Sequence, residues 1–279
     1  MSEHQRLVVH GRGHPELGRV VTKGVGGDGW SAGLAHSRGI RHKTRPSLSP
    51  NEDSAFIVTD GRTYVWAGVA DGHHGDYSSW HAMEFLADRP DLLLDDRVGV
   101  IDALYAGNVR LERERPREQP ESRTTVVAAR LDLTDGELRW VAMGDSTVGV
   151  QTRPGRYTRL NFHQHWFHGF WMETRYSAEM NWELGIERLE PGAVVVLASD
   201  GWTDYLPRGT KEGRAVEAAT VHAADSERSA EHLLIPRDAL MQNAAGYYVF
   251  NAVGGDAETP ATAMPVPVRV IFGLGDRVA

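Results

Sequence analysis

Three aspartates of this chain stand in the same kind of place. Asp71 in "VADGHHG", Asp145 in "VAMGDST" and Asp200 in "LASDGWTD" each close an apolar run, and each adjoins a glycine. A glycine there lets the backbone approach a ligand closely. Asp204 follows four residues after Asp200, and "SPNEDSAF" sets Glu52 and Asp53 side by side ahead of another apolar run. Neighbouring carboxylates repel, and burying them is costly unless something positive lies between or beside them. One Asp beside a Gly is an ordinary turn. Three of them at strand mouths, joined by Glu52-Asp53, describe an oxygen-rich cation site. Such donors suit Mg²⁺ or Mn²⁺. Two ions roughly 3.5–4 Å apart can share a bridging hydroxide and aim it at phosphorus.

The elements that must hold these acids are legible from periodicity. The run "TYVWAGV" at 63–69 is β-branched and aromatic and reads as a buried strand ending at Asp71-Gly72. Residues 77–86 and 98–115 carry apolar side chains at helical spacing. Two strands at 124–131 and 137–143 form a hairpin around Thr134-Asp135-Gly136. The run 193–198, "AVVVLA", is a core strand, 229–250 is helical in outline but broken at Pro236, and 266–272 closes the chain as a strand. Antiparallel hairpins separated by helical pairs indicate an α+β fold. Residues 1–29, Gly- and His-rich, read as an N-terminal arm with room for one short strand. Residues 30–279 read as a single domain.

Bulk properties narrow the function. The chain has 279 residues, 41% of them hydrophobic, a formal charge of −8 and no cysteine. The negative charge argues against a general nucleic-acid binder. Lack of cysteine removes disulfides, thiolate zinc sites and a Cys nucleophile, and suits a reducing cytoplasm. The opening "MSEHQRLVVHGRGHPELG" lacks an apolar stretch of signal-peptide length, and no run approaches the ~20 apolar residues of a membrane span. The expectation is a cytoplasmic monomer with no nucleic-acid or membrane partner.

In order along the chain, "NEDSAF", "VADGHHG", "GDST" and "ASDGWTD" resemble the motifs of the protein phosphatase 2C family of metal-dependent Ser/Thr phosphatases. The resemblance spans roughly residues 30–272. It implies an α-β-β-α sandwich, two mainly antiparallel sheets flanked by helices, with a dimetal site at one end. Position by position, it implies that Asp71 bridges both metals, that the Gly72 carbonyl binds one, and that Asp200 holds the other. It places Glu52 and Asp53 at the site directly or through water, and Asp145 and Asp204, with Asp200, around a third, looser ion. His73 matches the family's proposed general acid, a role for which an imidazole is suited; His74 is the neighbouring alternative.

Three stretches depart from the family pattern. Its phosphate-gripping Arg falls on Arg41 or Arg45, across an apparent insertion, "RGIRHKTRPSLSP". Its last metal Asp falls on Asp256 in "GGDAETPATAM", although a second register puts Thr259 there and leaves Glu258 as a replacement. The segment between Asp145 and Asp200 is short, and "NFHQHWFHGFWMETRYSAEMNW" stands where the family has a flap. Within it His163, His165 and His168 could ligate a transition metal, but H-x-H-x-x-H in a loop is commonly polar filler. Trp166, Phe167, Phe170 and Trp171 read as core or a packed lid, with a stacking platform as the alternative. The resulting expectation is a phosphomonoester hydrolase acting on phospho-Ser/Thr proteins through a hydroxide shared by two Mn²⁺ or Mg²⁺ ions. The alternatives are a phosphorylated small molecule as substrate, or a pseudophosphatase that only binds a partner.

Overall fold

The computed structural model describes residues 4–16, 19–38, 51–153, 156–162, 164–169, 174–203, 235–236, 241–243, 246–253, 262–268, 273–274 and 277–278. In chain order its first elements are β1 (Gln5–His10), β2 (Val20–Gly27), β3 (Trp30–Ser37), β4 (Ser54–Thr59), β5 (Tyr64–Ala70), β6 (Gly72–His73), α1 (Tyr77–Ala87) and α2 (Arg97–Glu114). They are followed by β7 (Arg123–Thr124), β8 (Val126–Asp132), β9 (Glu137–Met143), β10 (Thr147–Arg153), β11 (Arg156–Arg159), α3 (Arg175–Asn181), β12 (Glu183–Arg188), β13 (Val194–Ala198) and the short α4 (Asp200–Thr203).

A six-stranded sheet in the order β1-β4-β5-β8-β9-β12 forms the centre, and every pairing in it is antiparallel. Strand alternation sends Phe56, Val58, Trp66, Val126, Ala128, Val141 and Met143 to one face, where they meet Met83 and Leu86 of α1 and Ile101 and Leu104 of α2. The intervening Val127, Ala129, Leu138, Trp140 and Ala142 face β10 and β13 of a second sheet, ordered β11-β10-β13. Ala55, Ile57 and Val65 face Leu34 on the β2–β3 hairpin. With both faces covered, the inner strands carry apolar residues at nearly every position, which is why "TYVWAGV" shows little alternation. The architecture is an α+β sandwich. Among the described residues, α1, α2 and α3 all pack on one outer face.

Trp66 is fully buried and donates its indole N–H to the Leu86 carbonyl at 2.7 Å, tying β5 to the end of α1. Truncating such a residue costs about 3–5 kcal/mol. The hairpin expected around Asp135-Gly136 is present, with Gly136 at φ 74° where a side chain would be strained.

Two expectations differ from the structure. Residues 1–29, read as an arm with room for one short strand, hold two: residues 5–10 form the edge strand β1 in register with β4, with Leu7 and Val9 pointing into the core. Residues 20–27 form half of a second hairpin. The stretch 229–250, read as helical, contains strands at Met241–Asn243 and Gly246–Val253, the latter paired with Thr262–Val268. Its "YYVF" is rich in β-formers, and cross-strand pairing overrode the helical spacing.

Candidate active site

Asp71 leaves the end of β5 with its backbone held on three sides. Its N–H reaches Thr125 Oγ1 at 3.2 Å, and its carbonyl accepts from Thr125 N–H at 3.0 Å and from Thr124 Oγ1 at 2.8 Å. Beyond it the β5–β8 ladder resumes in the same register as β6–β7, pairing Gly72 with Thr124 and His73 with Arg123. Gly72 packs on the acid loop so closely that a Cβ would stand 2.2 Å from the Glu52 carbonyl oxygen. No other residue fits there.

The Asp71 carboxyl lies against those of Asp53, which precedes β4, and Asp200, which opens α4. Burial first, then the Asp53 charge and hydrogen-bonding contact with Asp200 and Asp53, push the Asp71 carboxyl well above the usual carboxylate range. Two carboxyl groups can hydrogen-bond only by sharing a proton, and each ionised neighbour makes that proton harder to lose. His73 Nε2 is 3.8 Å from Asp71 Oδ1, too far for a direct hydrogen bond. One imidazole cannot neutralise three acids.

Among the described residues, no group of three or more His, Cys, Asp or Glu side chains is spaced to hold a metal ion as it stands. The carboxyl groups of Asp53 and Asp200 lie near enough to that of Asp71 to disfavour its ionisation. The donor set nevertheless fits a hard divalent cation, being oxygen-only, strongly negative and mutually repulsive until a cation joins it.

Glu52, predicted at the site, turns inward. It is 3% exposed, and its Oε1 accepts the Gly75 N–H at 2.8 Å. That contact fastens the 72–75 loop to the residues ahead of β4. His74 takes the left-handed conformation at φ 61°, bringing its Nδ1 within 3.8 Å of Glu121 and its Nε2 within 3.3 Å of an Arg123 nitrogen. His73 is thus the member of the pair beside Asp71. Its ring meets Phe167 edge-on, with centroids 4.9 Å apart.

Asp145 is not among the carboxyls that touch Asp71. Its carbonyl accepts from Arg159 at 3.0 Å, and its buried Oδ1 has no hydrogen-bond partner among the described residues. The "GDST" turn reaches the site through the next residue, since Ser146 Oγ and Thr125 Oγ1 are 2.6 Å apart. Arg41, Arg45, Asp204 and Asp256 lie outside the described residues, as do His163, Phe170 and Trp171. His165 is exposed, whereas His168 is buried and packs edge-on against Trp182. These two do not share a metal site. Trp166, expected in a core or packed lid, is 46% exposed.

The loop that carries His73 has supports that no motif announced. Arg12 makes a forked ion pair with Asp76 at 2.6 and 3.0 Å, and Gln119 donates to the same carboxylate at 2.9 Å. Burial pushes the Asp76 carboxyl up, but these two partners outweigh it and hold the group below its ordinary range. With Asp76 so engaged, the first N–H groups of α1 are capped from outside, Tyr77 by Gln119 Oε1 at 2.9 Å and Ser78 by Ser122 Oγ at 3.0 Å. His36 on β3 places Nε2 3.2 Å from the Asp53 carbonyl oxygen. The polar pair Thr124-Thr125 at the mouth of an apolar strand was the available signal. Arg12, His36 and Gln119 carry none in the linear sequence.

No protein-family model matches the chain, and no curated protein matches it in sequence. Solved structures similar to it include serine/threonine phosphatases, one of them of the 2C type. A bacterial serine phosphatase is 19% identical with a TM-score of 0.48, over 70% of this chain and 85% of that one. A serine-threonine phosphatase 2C from Toxoplasma gondii is 12% identical with a TM-score of 0.47, over 74% and 84%. The catalytic domain of the serine threonine protein phosphatase PstP, in complex with two manganese ions, is 19% identical with a TM-score of 0.43, over 69% and 81%. Among the described residues, no helix is long and apolar enough to cross a membrane.

Proposed function

We propose that the protein is a metal-dependent phosphomonoester hydrolase acting on phosphoserine or phosphothreonine in proteins. The observation that carries this reading is the convergence of Asp53, Asp71 and Asp200 from three separate elements, with His73 beside them. Asp71, Asp200 and Asp53, with the Gly72 carbonyl, are the groups that would hold Mn²⁺ or Mg²⁺. Such ions supply charge neutralisation at a phosphoryl group and acidify bound water.

The chain's own residues do the rest. The Thr124 and Thr125 contacts keep Asp71 at the strand mouth, and Glu52 keeps the following turn closed. His73, steadied by Phe167, holds a proton at Nε2 for the leaving alkoxide. No covalent intermediate is needed, because the carboxylates serve as ligands and none is placed as a nucleophile. The test is hydrolysis of p-nitrophenyl phosphate and a phosphoserine peptide with Mn²⁺ and with chelator. Metal-stimulated release that disappears in Asp71→Asn supports the reading. Equal turnover in that variant, or no turnover of either compound, overturns it.

A further inference from the structure

Arg123 stands directly opposite His73 in the β6–β7 pair. Opposed residues of an antiparallel pair project to the same face, with Cβ atoms about 4.5–5.5 Å apart. Both side chains then meet one ring. The Arg123 guanidinium lies 4.8 Å over the Phe167 centroid, and His73 meets that ring from its edge. The guanidinium also has a nitrogen 3.3 Å from His74 Nε2. His74 reaches that place through its left-handed backbone. Ring stacking and a hydrogen bond therefore orient a permanently charged fork at the rim of the carboxylate cluster, while Arg123 remains partly exposed.

We infer that Arg123 is a specificity-determining residue that binds an acidic side chain next to the phosphorylated residue of a peptide substrate. The inference rests on the phosphatase reading for its geometry. If His73 serves the leaving oxygen, the chain attached to that oxygen begins beside His73, and Arg123 is the residue paired with His73 across β6 and β7. A planar fork suits a carboxylate, which it can bind through two parallel hydrogen bonds. On a chain of net charge −8, a fixed cation at this rim also offsets repulsion of an acidic peptide.

The experiment compares three phosphoserine peptides that differ only at the residue beside phosphoserine, which is Asp, Asn or Lys. Each is assayed for kcat/KM with Mn²⁺ and for affinity by fluorescence anisotropy under chelator, where no turnover is expected. Wild type should favour the Asp peptide over the Asn peptide by about tenfold, equivalent to one good charge-assisted contact. Arg123→Gln should bring that ratio close to one, and Arg123→Glu should invert it in favour of the Lys peptide. Arg123→Lys should keep the direction of the preference with a smaller ratio. Circular dichroism identifies any variant that fails to fold, and Arg123→Gln decides the matter if Arg123→Glu does. A wild-type ratio near one, or a ratio unchanged in Arg123→Gln, overturns the inference. If no peptide is hydrolysed, the phosphatase reading fails, and the anisotropy ratios still decide whether Arg123 selects acidic peptides.

Discussion

Phe167 meets His73 edge to face, with ring centroids 4.9 Å apart and planes inclined at 72°. The contact joins the segment between β11 and α3 to the turn that follows Asp71, so the aromatic ring governs how the imidazole presents Nε2. His73→Asn should lower kcat by about 10²–10⁴-fold for an alkyl phosphate, whose leaving oxygen needs a proton. It should lower it far less for p-nitrophenyl phosphate, whose leaving group departs as an anion. Phe167→Leu should show the same pattern with a smaller loss. Equal losses on both substrates would mean that His73 does not supply the proton.

The carboxylate cluster predicts a link between metal and stability. Mn²⁺ at about a hundred times its dissociation constant should stabilise the wild type by ~2.7 kcal/mol. Asp200→Asn should abolish that gain, because an amide lacks the charge that holds the ion. Under chelator the variant should melt at or above the wild-type temperature, since one repelling charge near Asp71 is gone. Thermal melting with and without Mn²⁺ reads both effects. A variant still stabilised like wild type would remove Asp200 from the ligand set.

Asp76 is 2% exposed and held by Arg12 and Gln119. Arg12→Ala leaves a buried carboxylate short of its strongest partner and should cost about 1–3 kcal/mol. Because these partners hold the Asp76 carboxyl below its ordinary range, their stabilisation is present above the unfolded carboxylate range. It is lost as pH falls through the lowered folded value. The wild-type advantage over Arg12→Ala in urea denaturation should therefore shrink in acid. A constant difference from pH 7 to pH 3 would speak for packing alone.

His168 titrates in the opposite sense to a paired histidine. Burial alone pushes it down to about 3, and its ring lies against Trp182. An unfolded histidine takes its proton near ~6.5, so between these values the unfolded chain binds more protons. The folded state should keep its full stability above about 6.5 and lose up to ~1.4 kcal/mol per pH unit as pH falls toward 3. His168→Leu should flatten this part of the profile. Parallel melting curves for the two proteins between pH 7 and pH 5 would contradict the burial.

Trp166 is 46% exposed one residue before Phe167. Trp166→Ala should change the melting temperature little and lower kcat/KM for a phosphopeptide more than for p-nitrophenyl phosphate. Remote contacts are available only to a substrate large enough to make them. A melting loss matching about 3–5 kcal/mol would instead mark it as core.

Local pattern by itself determined β5, β13, α1, α2 and the β8–β9 hairpin. Each buries an apolar surface whose period, continuous in the strands and three to four residues in the helices, lies within one short stretch of chain. It also determined that Asp71 and Asp200 sit at strand mouths, since an acid and a glycine ending an apolar run are visible in one dimension. Tertiary structure decided the rest. The arm had room for one short strand, but that β1 pairs with β4 at the edge of the central sheet is a matter of tertiary packing. Glu52 and Asp53 are adjacent in sequence yet divide their work, one bracing Gly75 and the other meeting Asp71, because successive side chains entering a strand point to opposite sides. That His73 is the one beside Asp71 follows from the fold, with a left-handed backbone at His74 that no spacing in the sequence announces. Arg12, Gln119 and Arg123 act across 64, 43 and 49 positions of chain, on Asp76 for the first two and on His74 for the third. Contacts at such separations leave no periodicity behind, because they depend on how the sheets and helices pack together.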